Sequence, residues 1–272
     1  MHPILFKIGS FELHTWGASF AVCILVGTWI AMKRAKKFNL DQAAILDMTL
    51  VIVIASVVGS RFWYVVFHLD EFRGHWFDII NPVHDGYFGI AGLSMMGGVA
   101  FAVLAALGFA LIKKIDFRVL GDAVAPCFLL GAGLQRLFGC HLNGCCFGSP
   151  TDSPLGIVFP PGSVAGSVFP GVPLWPAQLF AAALGIIGFI LILLLDRKHS
   201  FAGYTMWLVL AYYALDRFIV DQFRYYEEAQ ILYQGGGITI NVNHFILFAL
   251  FAVSAGFWIN GRIKSAKNTH KP

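Results

Sequence analysis

Long apolar runs alternate with short polar segments along this chain of 272 residues. An α-helix needs about 20 mostly apolar residues to cross the hydrocarbon core of a bilayer, and most of the runs approach that length. The pattern therefore predicts an all-α integral membrane protein with about seven transmembrane helices, forming a single membrane-embedded domain over residues 1–272. The apolar runs cover residues 16–32, 44–67, 90–112, 119–138, 177–195, 202–221 and 243–260.

The composition agrees with this pattern. Hydrophobic residues make up 58% of the chain and charged residues only 12%, and the mean hydropathy is +0.72. A soluble globular chain carries about 25% charged residues. The composition therefore excludes a disordered chain and argues against a soluble enzyme.

The net charge of +4 comes from basic residues that are grouped along the chain. Of the 19 Lys and Arg residues, 13 fall in four clusters, which follow the first, third, fifth and seventh runs. Because cytoplasmic loops carry such an excess, we predict a periplasmic N-terminus and a cytoplasmic C-terminus. Membrane topology accounts for the charge, so no nucleic-acid partner is expected. The clusters are Lys33–Lys37, Lys113–Arg118, Arg197–Lys198 and Arg262–Lys271.

Two polar or mixed segments are predicted to lie on the outer side. Residues 143–176 are rich in Gly, Pro and Ser, which is typical of a loop of irregular structure. Residues 3–14 alternate weakly between apolar and polar side chains, which favours a short extended segment at the outer interface.

Three arginines lie inside or at the edge of apolar runs: Arg61, Arg136 and Arg217. A charge at the bilayer centre costs at least about 2.5–3.5 kcal/mol on insertion scales, so each of them needs an anionic or polar partner. One interpretation is a cluster that binds the phosphate of a lipid headgroup, because guanidinium groups bind phosphate oxygens in pairs. The alternative is that each arginine pairs with an acid or caps a helix.

Two further groups permit both a functional and an ordinary interpretation. Arg217, Asp221 and Arg224 share one helix face, where Asp221 either holds Arg217 or accepts a proton, or forms a plain ion pair. Gly97 and Gly98, early in the third run, allow close approach of backbone or lipid, or simply of a neighbouring helix.

The chain contains five cysteines. Cys23 and Cys127 lie within apolar runs and are expected to be packing residues. For the other three, at the outer end of the fourth run, three interpretations stay open: a disulfide, a metal site completed by His141, and free thiols. Because their spacing fits no usual zinc pattern, no metal and no cofactor are expected. The three residues are Cys140, Cys145 and Cys146.

An ordered set of short motifs runs along most of the chain. They are Gly59-Ser60-Arg61, Gly92-Leu93-Ser94 with Gly97-Gly98, Arg136 with Asn143-Gly144 and Gly148, and Arg217-Phe218-Ile219-Val220-Asp221 with Arg224. In their joint order and spacing these motifs resemble those of the prolipoprotein diacylglyceryl transferases, a family of seven-span enzymes of the bacterial inner membrane.

The resemblance implies an activity and its residues. The enzyme would move a diacylglyceryl group from phosphatidylglycerol, a membrane lipid, to the lipobox cysteine thiol of a prolipoprotein signal peptide, and glycerol phosphate would leave. Catalytic roles would fall to Arg136 at the phosphate, Arg217 at the headgroup, and Asp221 in place of a family glutamate. The substrate-binding positions would be Arg136, Arg61, Asn143, Gly97, Gly98, Gly148 and Arg224.

The chain departs from the family pattern at several positions. Met96, Trp16 and Ala181 replace the usual histidine, tyrosine and glutamate, and the segment from Arg136 to Gly139 is one residue longer than usual. Because neither Met nor Trp accepts a proton, the candidates for that role are Asp221 and His141. Two alternative functions are a non-catalytic protein that binds phospholipid or lipoprotein precursors, and a membrane thiol–disulfide protein.

Overall fold

The fold is helical throughout its apolar parts. The structure, a computed structural model, describes residues 1–8, 11–81, 83–84, 87–88, 92–236 and 238–269. Within these residues the α-helices are α1 Thr15–Ala35, α2 Gln42–Phe67, α3 Met95–Ile112, α4 Phe117–Leu134, α5 Val164–Val168, α6 Ala177–Leu195, α7 Tyr204–Asp221 and α8 Val242–Thr269.

Six of these helices are long and apolar enough to cross a membrane, and they occupy six of the seven predicted runs. The all-α, multi-pass membrane architecture is therefore confirmed. The third helix starts later than its run, at Met95 rather than at residue 90. The reason lies in the backbone: Gly92 adopts a left-handed conformation with φ of +66°, and Ser94 is extended. The six are α1, α2, α3, α4, α6 and α8.

The remaining run forms α7, an 18-residue helix that is not among those six. It carries three charged residues, Asp216, Arg217 and Asp221, within its last two turns. The count of seven membrane crossings, and the orientation derived from it, stay predictions.

The long helices bury one side and expose apolar residues on the other. Leu25, Leu111 and Ile112 are 70%, 78% and 81% exposed, although leucine and isoleucine are normally buried in soluble proteins. Such surfaces suit hydrocarbon tails, because apolar side chains face the lipid while the backbone groups within the helix hydrogen-bond to one another.

Short two-stranded sheets connect the helices. The predicted extended segment forms β1 Ile4–Ile8 and β2 Phe11–His14, which pair with each other, while Gly9 and Ser10 lie outside the described residues. The other strands pair in the same way, each with its neighbour in sequence. They are β3 Val83–His84, β4 Tyr87–Phe88, β5 Ile157–Val158, β6 Pro173–Leu174, β7 Ile231–Gly235 and β8 Ile238–Asn241.

The outer loop 143–176 is mostly irregular, as predicted, yet it has a core of its own. Phe159 and Leu174 are fully buried in it, together with Phe147. Ser163 caps the short helix α5 by accepting a hydrogen bond from the Gly166 amide, at 3.1 Å. Burial of these side chains gives the loop a defined shape.

The chain folds into two compact units. One comprises Met1–Leu5, His14–Ile30 and Gly121–Pro272, and the other comprises Phe6–Leu13 and Ala31–Leu120. The single domain over residues 1–272 stays a prediction.

In the unit that contains α2 and α3, glycines let these two helices pack closely. A Cβ atom on Gly97 would collide with the carbonyl oxygen of Gly59, and one on Gly98 would collide with the side chain of Ser60. Ser94, just before α3, donates its backbone amide to the Ser60 carbonyl at 3.0 Å. The glycine pair is thus placed at a helix–helix contact.

In the other unit, Asp122 of α4 anchors the start of α7. Its carboxylate is fully buried and accepts the backbone amides of Gly203, Thr205 and Met206 at 2.6 to 2.8 Å. His199 contacts the same carboxylate at 3.0 Å. Because these amides are the unpaired donors at a helix N-terminus, one side chain both caps α7 and ties it to α4.

Candidate functional site

The candidate site begins where α4 widens into a π-helix, Gln135–His141. A π-turn accommodates one extra residue within a helix and is frequent at functional sites. The segment from Arg136 to Gly139, which is one residue longer than the motif that it resembles, lies in this turn. Gln135 fixes the turn against α1, since its amide donates to the Trp16 carbonyl at 3.2 Å and its oxygen accepts from Ser19 at 2.9 Å.

Arg136 projects from this turn and is half-buried. Its Nη1 atom donates a hydrogen bond to the Cys140 sulfur, at 3.6 Å. Within the described residues, no carboxylate forms an ion pair with Arg136. A half-buried guanidinium group without a carboxylate partner is a suitable binding group for an external anion.

The loop that follows brings three thiols together. The sulfur atoms of Cys140, Cys145 and Cys146 all lie within 4.8 Å of one another, and the cysteines are not bridged. Left-handed backbone at Gly144 (φ +70°) and Cys146 (φ +58°) turns the chain back on itself. The Cys145 amide then donates to the Cys140 carbonyl at 3.1 Å, which closes the turn.

Electrostatics make the three thiols unequal. Hydrogen bonds from the thiols of Cys140 and Cys145 hold the pKa of the Cys146 thiol well below its ordinary value. The positive charges of Arg224 and Arg136 act in the same direction. The hydrogen bonds with Cys140 and Cys146 raise the pKa of the Cys145 thiol. One member of the group is thus favoured as a thiolate.

Gly148 ties this loop to the segment after α7. Its amide donates to the Trp175 carbonyl at 3.1 Å, and it forms an antiparallel bridge with Arg224. A Cβ atom here would collide with the carbonyl oxygens of Trp175 and Phe223, so the position requires glycine. Gly148 thereby places Arg224 near Cys146.

A second cluster lies at the end of α7. Nη2 of Arg217 contacts Oδ1 of Asp221 at 3.0 Å and donates to the Tyr226 hydroxyl at 2.9 Å. The same hydroxyl donates to Oδ1 of Asp221 at 2.7 Å. Burial raises the pKa of Tyr226 to about 12, so its phenol keeps the proton that it donates. Asp221 is fully buried, and the network holds the Arg217 side chain in place.

Sequence reasoning missed His244, which completes this cluster. Its Nδ1 atom accepts a hydrogen bond from the Asn241 backbone amide at 3.2 Å, so the ring proton lies on Nε2. Nε2 faces Oδ2 of Asp221 at 3.4 Å, a contact slightly too long for a well-formed hydrogen bond. Both residues are fully buried. A histidine within an apolar run was the signal that could have identified it.

Asp216 connects the two clusters and was also missed. Its carboxyl group interacts electrostatically with both Arg217 and Arg136. Its Oδ1 atom is buried and has no hydrogen-bond partner among the described residues. Two of the three arginines that the sequence singled out, Arg136 and Arg217, therefore act on one common acid.

The other predicted residues are placed as follows. Arg61, in the unit with α2 and α3, donates to the carbonyls of Ile79 and Asp78 at 2.8 and 2.6 Å, and its guanidinium carbon lies 5.1 Å from the Phe72 ring centre. Asn143 is half-buried, two residues before Cys145. Substrate contacts by Arg61, Asn143, Gly97, Gly98, Gly148 and Arg224 stay predictions.

Comparison with known proteins identifies the family. The sequence profile described as "Prolipoprotein diacylglyceryl transferase" matches residues 3–260. Three relatives bear the name phosphatidylglycerol–prolipoprotein diacylglyceryl transferase. The protein from Fusobacterium nucleatum is 30% identical over 82% of this chain and 88% of its own length. That from Geobacter sulfurreducens is 33% identical over 82% of each chain. That from Clostridium perfringens, numbered 1, is 32% identical over 82% of this chain and 83% of its own. The chain therefore belongs to the prolipoprotein diacylglyceryl transferase family.

Proposed function

We propose that this protein transfers the diacylglyceryl group of phosphatidylglycerol to the lipobox cysteine thiol of a prolipoprotein, in the bacterial inner membrane. The relatives carry this activity in their names, and they match most of the chain. The observation that carries the proposal is Arg136, a half-buried guanidinium group that forms no ion pair with a carboxylate among the described residues and that shares the electrostatic neighbour Asp216 with the held Arg217.

The reaction requires positive charge at the leaving group. The acceptor sulfur attacks the glyceryl carbon that bears the phosphate, and the carbon–oxygen bond breaks. The electron pair stays on the phosphate oxygen, so that glycerol phosphate leaves with an additional negative charge. Arg136 is assigned to this phosphate, because paired N–H donors that meet developing charge stabilise the transition state most.

Arg217 is assigned to the headgroup. Its contacts with Asp221 and Tyr226 both use Nη2. The Nε and Nη1 atoms form no hydrogen bond within the described residues, so they are available to a ligand. In this scheme Asp221 is a positioning residue for Arg217. Rigid placement of such a group lowers the cost of ordering it when substrate binds.

The acceptor thiol must also lose its proton, and here the chain departs from its family. Met96 occupies the place of the usual histidine and has no basic atom. Of the two groups considered from sequence, Asp221 already binds Arg217 and Tyr226. The ring of His141 packs edge-on against Phe159, with the ring centres 6.2 Å apart. Activation of the thiol is therefore assigned to another group, considered below.

The test is transfer of lipid to a lipobox peptide by the purified protein in phosphatidylglycerol vesicles, together with rescue of cells depleted of their own transferase. We expect transfer by the wild-type chain, and a loss of at least about 100-fold in Arg136→Lys, which keeps the charge but not the paired donors. Arg73→Ala is the control, because Arg73 pairs with Asp70 at an exposed position. Normal membrane insertion and lipid binding without transfer would support the non-catalytic alternative and refute the proposal.

A further inference from the structure

The three thiols beside Arg136 have the arrangement of a metal site. A thiophilic cation of the zinc class bonds to sulfur at about 2.3 Å, which places three ligating sulfurs about 3.8–4.0 Å apart. The sulfurs of Cys140, Cys145 and Cys146 already lie within 4.8 Å of one another. A contraction of about 1 Å at most, within the reach of small χ1 rotations, gives the metal-bound spacing.

The sequence spacing of the three cysteines matches no usual metal-binding pattern, because the fold brings them together. Cys140 is buried in the π-helix, whereas Cys145 and Cys146 follow the left-handed turn at Gly144. Left-handed backbone at Cys146 itself sends adjacent side chains towards the same point. A disulfide would use two of these thiols and leave the third beside it, whereas a cation uses all three.

We propose that Cys140, Cys145 and Cys146 bind one zinc-class cation and that its open fourth position binds the acceptor thiol as a thiolate. This inference rests on the proposed function, because it names the group that activates the acceptor. Catalytic zinc sites commonly have three protein ligands and one open position, and a thiol that binds such a cation is deprotonated.

The fourth position is open because, among the residues that the structure describes, no neighbouring side chain takes it. His141, which the sequence offered as a fourth ligand, packs against Phe159 and does not join the sulfur group. Cys145 and Cys146 are only half-buried, so a peptide thiol can approach from their side. A closed, structural site would instead have four protein ligands.

The surrounding charges suit this site. Three thiolates and a divalent cation carry a net charge of −1, and a bound substrate thiolate makes it −2. Arg136 donates to the Cys140 sulfur, and Arg224 is close enough to act on Cys146. Hydrogen bonds and charges around the ligands change the affinity of a metal site by about 10–100-fold.

The location also suits the reaction. When the acceptor sulfur binds the cation, its proton goes to solvent. The sulfur then donates an electron pair to the glyceryl carbon, and the bond from that carbon to the phosphate oxygen breaks. Because attack and departure occur on opposite sides of one carbon, nucleophile and phosphate must lie only a few ångströms apart. Arg136, which contacts Cys140 at 3.6 Å and is assigned to the phosphate, meets that requirement.

The first experiment measures metal binding alone. The full-length protein is purified in detergent without chelator, and bound zinc is determined by elemental analysis and by competition with a chromophoric chelator. We expect one zinc per chain. Each of Cys140→Ser, Cys145→Ser and Cys146→Ser should weaken binding by more than about 100-fold, the upper end of the cost of losing only an outer-shell partner. Cys23→Ser and Cys127→Ser, matched controls outside the cluster, should retain the metal.

The second experiment tests the open position. X-ray absorption of the zinc-loaded protein should show three sulfur neighbours, and four after addition of a lipobox peptide in the absence of donor lipid. The same peptide with serine in place of its cysteine should leave the number at three. A disulfide among the three cysteines with no retained zinc, or a sulfur number that the cysteine peptide leaves unchanged, overturns the proposal.

The outcomes also separate this inference from the proposed function. Zinc bound by the three cysteines, with a fourth sulfur from the peptide but no lipid transfer, supports the site and refutes the transferase activity. Undiminished lipid transfer by the cysteine variants, without bound zinc, refutes the site and leaves the activity standing.

Discussion

Replacing Asp122 with alanine should be one of the most destabilising single changes in this chain. The Asp122 carboxylate accepts three backbone amides at the start of α7 and contacts His199, and it is fully buried. Each hydrogen bond to a charged acceptor contributes about 1.5–3 kcal/mol. Water that enters the vacated space would restore part of the loss, so we expect Asp122→Ala to cost about 3–5 kcal/mol.

Two comparisons make this prediction specific. Asp122→Asn keeps one acceptor oxygen for Thr205 and Met206 but turns an amide donor towards the Gly203 N–H, so it should cost about 1–3 kcal/mol. Asp116→Ala removes a carboxylate that accepts the Arg118 amide in the same manner, but at an exposed position. It should therefore cost about 1 kcal/mol or less.

The assay is equilibrium unfolding in detergent micelles with added denaturant, followed by tryptophan fluorescence. Free energies are compared at equal detergent concentration, because micelles alter the stability of both states. The reasoning is refuted if Asp122→Ala costs less than about 1 kcal/mol, or if it is no more costly than the exposed control Asp116→Ala.

Three further changes have defined outcomes. Gly97→Ala places a methyl group against the Gly59 carbonyl and should lower stability by about 1–3 kcal/mol, with Gly108→Ala, which meets open space, as the control in the same unfolding assay. His244→Ala removes the acceptor of the buried Asn241 backbone amide and the contact with Asp221, so it should cost about 2–4 kcal/mol. His244→Gln keeps polar atoms at this position and should recover part of that loss, and equal losses in the two variants would contradict the polar contacts assigned to His244. Tyr226 has a pKa of about 12, above the usual value near 10, so the stability that its phenol contributes should be present below pH 10 and lost between about pH 10 and 12. Unfolding measured against pH should show this loss in the wild type, and its persistence in Tyr226→Phe would disprove the assignment.

The sequence alone was sufficient for the architecture and the family. A helix that crosses a bilayer must be apolar over nearly its whole length. Each apolar run therefore predicts a transmembrane helix, whatever the rest of the chain contains. The exception, α7, shows the limit of this rule, since Asp216, Arg217 and Asp221 reduce its hydropathy while tertiary contacts bury it. The ordered motifs likewise indicated the family, and the comparisons confirmed it.

The tertiary structure decided which residues meet. Asp221 and His244 belong to different helices, and neither their spacing nor any local pattern predicts that their polar atoms face each other. The three cysteines converge only because a π-turn and a left-handed residue direct them to one point. Hydrophobic periodicity reports the environment of each residue separately, whereas a site depends on distances between residues that are remote in sequence, and those distances are set by packing.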